Sequence, residues 1–418
     1  MVFSPCGQGR SLALTYRTLN MPLQIIKRRS RGFICVNAHP EGCRRNVERW
    51  VAGMRGKIPA GQAGPRNVLV IGASTGYGLA SRIAAAWGYD AKTLGVFFER
   101  PPEGDKTATA GHYNTVAFHS LARKDGLFAA SINGDAFSDE VKRDALDGLR
   151  KQMAPVDLVI YSLASPKRTD PRTGQVHNST LKPIGQAFTN RTIELDSGKV
   201  VSVTLQPANE NEIADTVAVM GGDDWRRWIE MLLAEKLLAE GARTLAYSYI
   251  GPEITWPIYR DGTIGQAKKD LERVATELDA TLAKNLGGHA WISVNKAVVT
   301  QASAAIPVVP LYLSVLPVVM RGKELDEGPL EQMRRLFTDF LCAGGPPKVD
   351  EARRLRLDDR EMRSDVQAEV AALWPQITTE NLQSMTDFAG FQRVFRGLFG
   401  FVVDGVDYDQ PTETDLHW

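Results

Sequence analysis

The chain has 418 residues, 50 of them Lys or Arg and 49 Asp or Glu, for a formal charge of +1. That even balance lacks the clustered basic excess of a nucleic-acid-binding protein. With 43% hydrophobic residues and 37 glycines, the composition is that of a folded globular chain, not a disordered one. Four cysteines (Cys6, Cys35, Cys43, Cys342) are too few and too scattered for a disulfide framework. Cys35 and Cys43 bracket His39, but no second ligand pair stands at zinc-like spacing, so no metal is expected.

In chain order, the first twenty residues hold only a short apolar run with no small-residue cleavage site, and a second Met stands at position 21. Residues 1–20 are therefore expected to be an extension with no part in the fold. Short apolar runs then alternate with helical patterns. Strands are predicted at Asn67–Gly72, Thr93–Phe98, Leu127–Gly134, Asp157–Ala164, Arg243–Ile250 and His289–Val299. A helix is predicted over about Asp223–Glu240, with Ile229, Leu232, Leu233 and Leu237 at helical spacing. Buried strands separated by helices call for a parallel sheet covered on both faces. Between Ser165 and Met220 the rhythm breaks, and the alternating runs RTIEL and VVSVTL around DSGK predict an inserted β-hairpin.

The run at positions 297–320 contains no charge and is long enough to cross a bilayer if helical. Pro307, Pro310 and Pro317 interrupt such a helix, so a buried strand followed by an apolar, proline-shaped loop is predicted instead. No membrane span is expected. From Lys323 onward the pattern is helical, and residues 409–418 read as a polar tail expected to fray. The division is then a Rossmann domain over 21–322, a helical addition packed on it over 323–408, and the tail.

The first strand runs into GASTGYG and a helix. Gly72, Gly76 and Gly78 suit a tight turn that lets backbone approach a pyrophosphate, whose charge the helix N-terminus would meet. Gly72, Ala73, Ser74, Thr75, Gly76 and Tyr77 are thus candidate dinucleotide contacts. Phe98 and Glu99 end the second strand, and a carboxylate there accepts from the adenosine ribose and repels a 2′-phosphate. NADH is therefore expected over NADPH. Asp135, beside Ala136, is placed to reach the adenine amino group, and Leu163 and Ala164 to line the nicotinamide ribose.

Tyr259 stands nine positions before Lys268. On one helix this spacing leaves the two on opposite faces and about 13 Å apart in height. They cooperate only if Tyr259 sits on a segment folded back on the helix. Asp261-Gly262 supplies the turn, and Thr263 with Gln266 a capping box that starts the helix.

A Rossmann-type chain with Gly72-x-x-x-Gly76-x-Gly78 and a Tyr-x8-Lys pair resembles the long-form trans-2-enoyl-thioester reductases. These are the bacterial NADH-dependent enoyl-acyl-carrier-protein reductases and the trans-2-enoyl-CoA reductases. The resemblance runs from about Met21 to Tyr408 and includes RGFICVNAHPEGC and FRGLFGF. It implies Tyr259 as proton donor, Lys268 as a cofactor-binding partner, Tyr249 as a substrate contact, and cofactor contacts at Val298, Val299 and Thr300. It also implies reduction of an enoyl thioester carried on acyl carrier protein or coenzyme A, in the cytoplasm. A flavin-binding label attaches to the family's C-terminal portion, but no nucleotide fingerprint follows Lys323, and no flavin is expected.

Lys268 is expected to lower the Tyr259 pKa as a nearby cation. Tyr247 reads as a core aromatic, and Lys269 reads equally well as a cofactor or catalytic-geometry residue and as a solvent-facing one. The six histidines show no nucleophile partner and read as structural. Ala304–Val319 is expected to wall an acyl site. Arg321, Lys323, Arg334 and Arg335 are either a face for an acidic carrier protein or scattered solvated charge. A monomer is expected. Two other functions remain open from residues alone: a ketoreductase using Ser248 with Tyr259 and Lys268, and a non-catalytic NAD-sensing module.

Overall fold

The structure is a computed structural model that describes residues 23–31, 34–195, 197–304 and 306–418. The extension predicted at 1–20 lies outside them. Among the described residues, seven strands form one sheet: β1 (Asn67–Ile71), β2 (Lys92–Phe97), β3 (Ala129–Asn133), β4 (Val156–Tyr161), β5 (Leu238–Ser248), β6 (His289–Val294) and β7 (Arg354–Arg356). Their spatial order is β7-β6-β5-β4-β1-β2-β3, every neighbour parallel. The chain builds outward from β1 to β3, then restarts on the other side with β4. That reversal leaves a crevice at the strands' carboxyl ends, the ligand site of doubly wound sheets.

Side-chain alternation along each strand explains the double covering. Val68 and Val70 enter one core with Ile83, Phe118 and Leu336, while Leu69 and Ile71 enter a second with Trp225, Leu271 and Leu278. The first face carries α1 (Pro40–Met54), α2 (Gly76–Tyr89) and α3 (Ala110–Lys124). The second carries α4 (Asp139–Gln152), α6 (Asp223–Ala234) and α7 (Thr263–Leu286), with α5 (Glu210–Met220) packed on α7.

A third core stands apart from the sheet. It joins Ile26 and Cys43 to α8 (Val309–Gly322), α10 (Ser364–Leu373) and α11 (Phe388–Gly397); α9 (Pro329–Arg335) belongs to the first core. The predicted hairpin is present as Phe188–Glu194 paired with Lys199–Leu205, Arg191 opposite Ser202. Phe188, Val200 and Leu205 lean on the third core.

Several boundaries differ from expectation. The helix predicted to Glu240 ends at Ala234, because Lys236 turns to φ +55° and Leu238 already begins β5. β6 stops at Val294, so Val298 and Val299 lie in a loop. β7 had no apolar run to announce it: Arg354 and Arg356 flank its one buried residue, Leu355.

The second half of the apolar stretch, from Val309, is α8 and not a loop. Pro310 falls in the helix's first turn, where no amide donor is needed, and Pro317 is accommodated inside it. No described helix is long and apolar enough to cross a membrane. The C-terminal end does not fray: Gln24 and Thr412 exchange backbone hydrogen bonds, the Tyr113 hydroxyl donates to the Thr414 carbonyl at 3.0 Å, and Trp418 packs edge-on against Phe97.

Candidate active site

Each glycine of the β1–α2 turn has its own reason. At Gly72, φ is +87° and a Cβ would lie 2.2 Å from the Ser162 carbonyl oxygen. At Gly78 a Cβ would lie 1.9 Å from the Gly72 carbonyl oxygen, so the helix fits against the turn only without a side chain. Gly76, at φ +53°, would point its Cβ into open space. Thr75 makes no side-chain cap, leaving the first amides of α2 free to face an anion there. That cradle fits the pyrophosphate of a dinucleotide.

Around it, the other predicted cofactor residues converge. The Ser74 hydroxyl donates to Glu99 Oε1 at 2.6 Å. Glu99 is no solvated surface carboxylate: burial raises its pKa, with Ser74 and Thr109 opposing. Its space depends on Gly111, whose Cβ would lie 1.9 Å from Oε1. Phe98 beside it is exposed.

Asp135 Oδ1 accepts the Phe137 amide at 3.0 Å in a tight turn that also places Ala136. Beneath this turn the fully buried Lys142 ammonium donates to the Ala136 carbonyl and to Asp224, both at 2.7 Å, and Tyr161 donates to the same carboxylate. Sequence reading missed this support, since Lys142 sits in a helix that reads as charged and solvated. Leu163 is partly buried and Ala164 exposed at the mouth beyond β4. The Tyr77 hydroxyl donates to the Lys296 carbonyl at 2.7 Å, tying α2 to the loop of Val298, Val299 and Thr300. That loop is held in turn by Ser303, whose hydroxyl donates to the Val298 carbonyl at 3.0 Å.

The reacting candidates gather at the end of β5. Tyr259 lies in a turn that folds back before α7, as its spacing requires, and its ring meets that of Tyr249 edge-on at 4.9 Å. Lys268, in the second turn of α7, donates to the Tyr247 carbonyl at 3.2 Å. Thr263 does not cap this helix. Gly262 is the cap residue, and the Thr263 hydroxyl instead donates to the Thr180 carbonyl at 2.5 Å. Tyr247 is a core residue, its hydroxyl 2.5 Å from Ser81 Oγ. Lys269 is exposed.

The electrostatics correct one expectation. Burial, and then the charge of Glu361, pushes the Tyr259 phenol above its ordinary pKa, and Lys268 makes no offsetting contribution. Burial pulls Lys268 down to about 8, with Glu272 opposing. The phenol is thus kept protonated, as a donor must be, rather than primed toward phenolate.

Glu361 itself was invisible in sequence, lying in a charged stretch (DDREMRS) that reads as solvent-facing. It is fully buried, and Tyr249 and Tyr312 both donate to its Oε1, at 3.1 and 2.7 Å. Three of the four basic residues considered as a carrier-protein face are already paired within the chain. Arg321 meets Asp387, Lys323 meets Glu369 at 2.9 Å, and Arg335 meets Glu327 at 2.7 Å.

Fold and glycine turn together define a Rossmann-type nucleotide-binding chain with Tyr259 and Lys268 as its reacting candidates. Comparison with known families agrees. Residues 25–104 match the NAD(P)H binding domain of trans-2-enoyl-CoA reductase, residues 106–342 the trans-2-enoyl-CoA reductase catalytic region, and residues 349–412 the enoyl reductase FAD binding domain. An enoyl-[acyl-carrier-protein] reductase [NADH] of Flavobacterium johnsoniae is 57% identical over 93% of this chain and 97% of its own. One of the same name from Opitutus terrae is 55% identical over 94% and 99%. The crystal structure of Treponema denticola trans-2-enoyl-CoA reductase in complex with NAD superposes with a TM-score of 0.90 at 47% identity, covering 94% of this chain and 99% of that one. The chain belongs to the trans-2-enoyl-CoA reductase family.

Residues 349–412 do not fit a flavin. β7 leads into a charged turn at Asp358, not into a glycine turn and helix. Two of the segment's four glycines serve protein packing: a Cβ at Gly400 would lie 2.3 Å from the His39 carbonyl oxygen, and one at Gly390 2.0 Å from Asp387.

Proposed function

We propose that the protein uses NADH to reduce the carbon–carbon double bond of trans-2-enoyl thioesters carried on acyl carrier protein or coenzyme A, in the cytoplasm. The observation that carries this reading is the edge-on meeting of Tyr259 with Tyr249 just past a strand whose Tyr247 carbonyl accepts from Lys268, in a sheet whose first turn suits a pyrophosphate.

When bound, the reduced nicotinamide supplies a hydride to the β-carbon of the enoyl group. Negative charge then collects on the thioester oxygen, where the Tyr259 hydroxyl stabilises it and delivers a proton. A single donor placed for such charge contributes roughly 3–4 kcal/mol. Lys268 holds the nicotinamide ribose through its ammonium group. α8 is the apolar element assigned to the acyl chain; its Leu311, Tyr312 and Val315 are themselves packed in the third core. The Glu99 carboxylate takes the ribose hydroxyls and disfavours a 2′-phosphate. Ser248, the hydroxyl that a ketoreductase requires, is buried at the last position of β5, on the alternate face from Tyr247.

Oxidation of NADH and NADPH, followed with crotonyl-CoA, crotonyl-acyl carrier protein and acetoacetyl-CoA, tests the reading. Turnover of the enoyl substrates with a preference for NADH is expected. Turnover of the keto substrate alone would overturn it.

A further inference from the structure

The third core delivers a carboxylate to the centre just described. Glu361 is wholly buried, and each of its oxygens is engaged. Oε1 accepts from the hydroxyls of Tyr249 and Tyr312 at 3.1 and 2.7 Å, and Oε2 accepts the Ala297 amide at 2.8 Å. Gln367 closes the cluster, its amide donating to the Tyr312 hydroxyl at 3.2 Å and to the Glu361 carbonyl at 2.7 Å. A buried carboxylate bound by three donors is held in one orientation, since losing any of them leaves charge unpaired.

The consequence falls on the two phenols at the centre. The Tyr249 proton is committed to Glu361, so this tyrosine turns only lone pairs toward its neighbour. The Tyr259 hydroxyl has no hydrogen-bond partner among the described residues.

Resting on the enoyl-reductase reading, we infer that Glu361 is a positioning residue of the reaction: from the C-terminal helical addition it commits the Tyr249 proton, leaving Tyr259 the sole phenol free to donate to the substrate oxygen. The segment that family models name for a flavin thereby contributes to enoyl reduction.

The test uses the full chain with NADH and crotonyl-CoA. Glu361→Gln keeps the size and removes the charge, while its amide cannot serve both the tyrosine donors and the Ala297 amide. A fall in kcat of about 10- to 100-fold is expected, the equivalent of one unsatisfied buried donor, with the NADH dissociation constant within about twofold of wild type. In a Tyr249→Phe background the same substitution should change kcat by less than about threefold, because the group it acts through is gone. An unchanged kcat, or full multiplication of the two effects, would overturn the inference.

Should Glu361→Gln fail to fold, Tyr312→Phe removes one donor from the same oxygen. Its kcat effect should be present in wild type and absent in Tyr249→Phe, and an equal effect in both backgrounds would contradict the role. An inactive wild-type enzyme would instead sink the enoyl-reductase reading, which keeps the two failures distinct.

Discussion

Tyr259 and Lys268 occupy environments that push them in useful opposite directions. Burial, together with Glu361, keeps the phenol protonated, while burial alone brings the amine within reach of neutral pH. With its pKa lowered to about 8, Lys268 is an ammonium below that value and an amine above it. The charged form makes the stronger hydrogen bonds to a ribose. We therefore expect kcat/KM for NADH, which reports the free enzyme, to fall as pH rises through about 8. Lys268→Arg, charged across the whole range, should flatten that limb even if it lowers the plateau. A wild-type profile flat from pH 7 to 9.5 would contradict the assignment. Both candidates were picked out in sequence by the Tyr-x8-Lys spacing, and the turn that this spacing requires before α7 is present. Glu361 was not, because a carboxylate with four other charged residues in a stretch of seven gives no sign that it is buried.

At the scale of elements, the β1–α2 turn separates two kinds of glycine. Gly78→Ala forces a Cβ to within 1.9 Å of backbone, which must shift, and should destabilise the chain by about 3 kcal/mol or more in denaturant unfolding. Gly76→Ala meets no protein atom and should cost only about 1–2 kcal/mol from its left-handed φ. Its methyl group would project into the open space that the proposed function gives to the cofactor, so NADH affinity should fall further than stability does. The opposite ranking of the two would mean the cradle faces elsewhere. The turn was readable because glycine spacing after an apolar strand follows from local sterics. Element ends were less so: the helix stop at Ala234 depends on one residue, Lys236, taking a left-handed conformation that its side chain does not advertise. α8 was misread because two prolines look like breaks, and only tertiary packing of Tyr312, Leu313 and Leu316 makes the helix worth keeping around Pro317.

Across the molecule, the site is assembled from parts that fold against three different cores. The sheet and its two faces, read from the short apolar runs of β1 to β6 and the helices between them, place the glycine turn, Glu99 and Lys268. The third core, which draws on both ends of the described chain, places Tyr259, Tyr249 and Glu361, and its long-range pairings had no local signature. The ends meet each other at Gln24 and Thr412, so the addition is built into the same body as the nucleotide site. Whether that body is a reductase driven by one phenol is answered by a single comparison. Tyr259→Phe should bind NADH as wild type does, by fluorescence titration, while its kcat with crotonyl-CoA falls about 100- to 1,000-fold. Wild-type turnover by the phenylalanine variant would contradict the account.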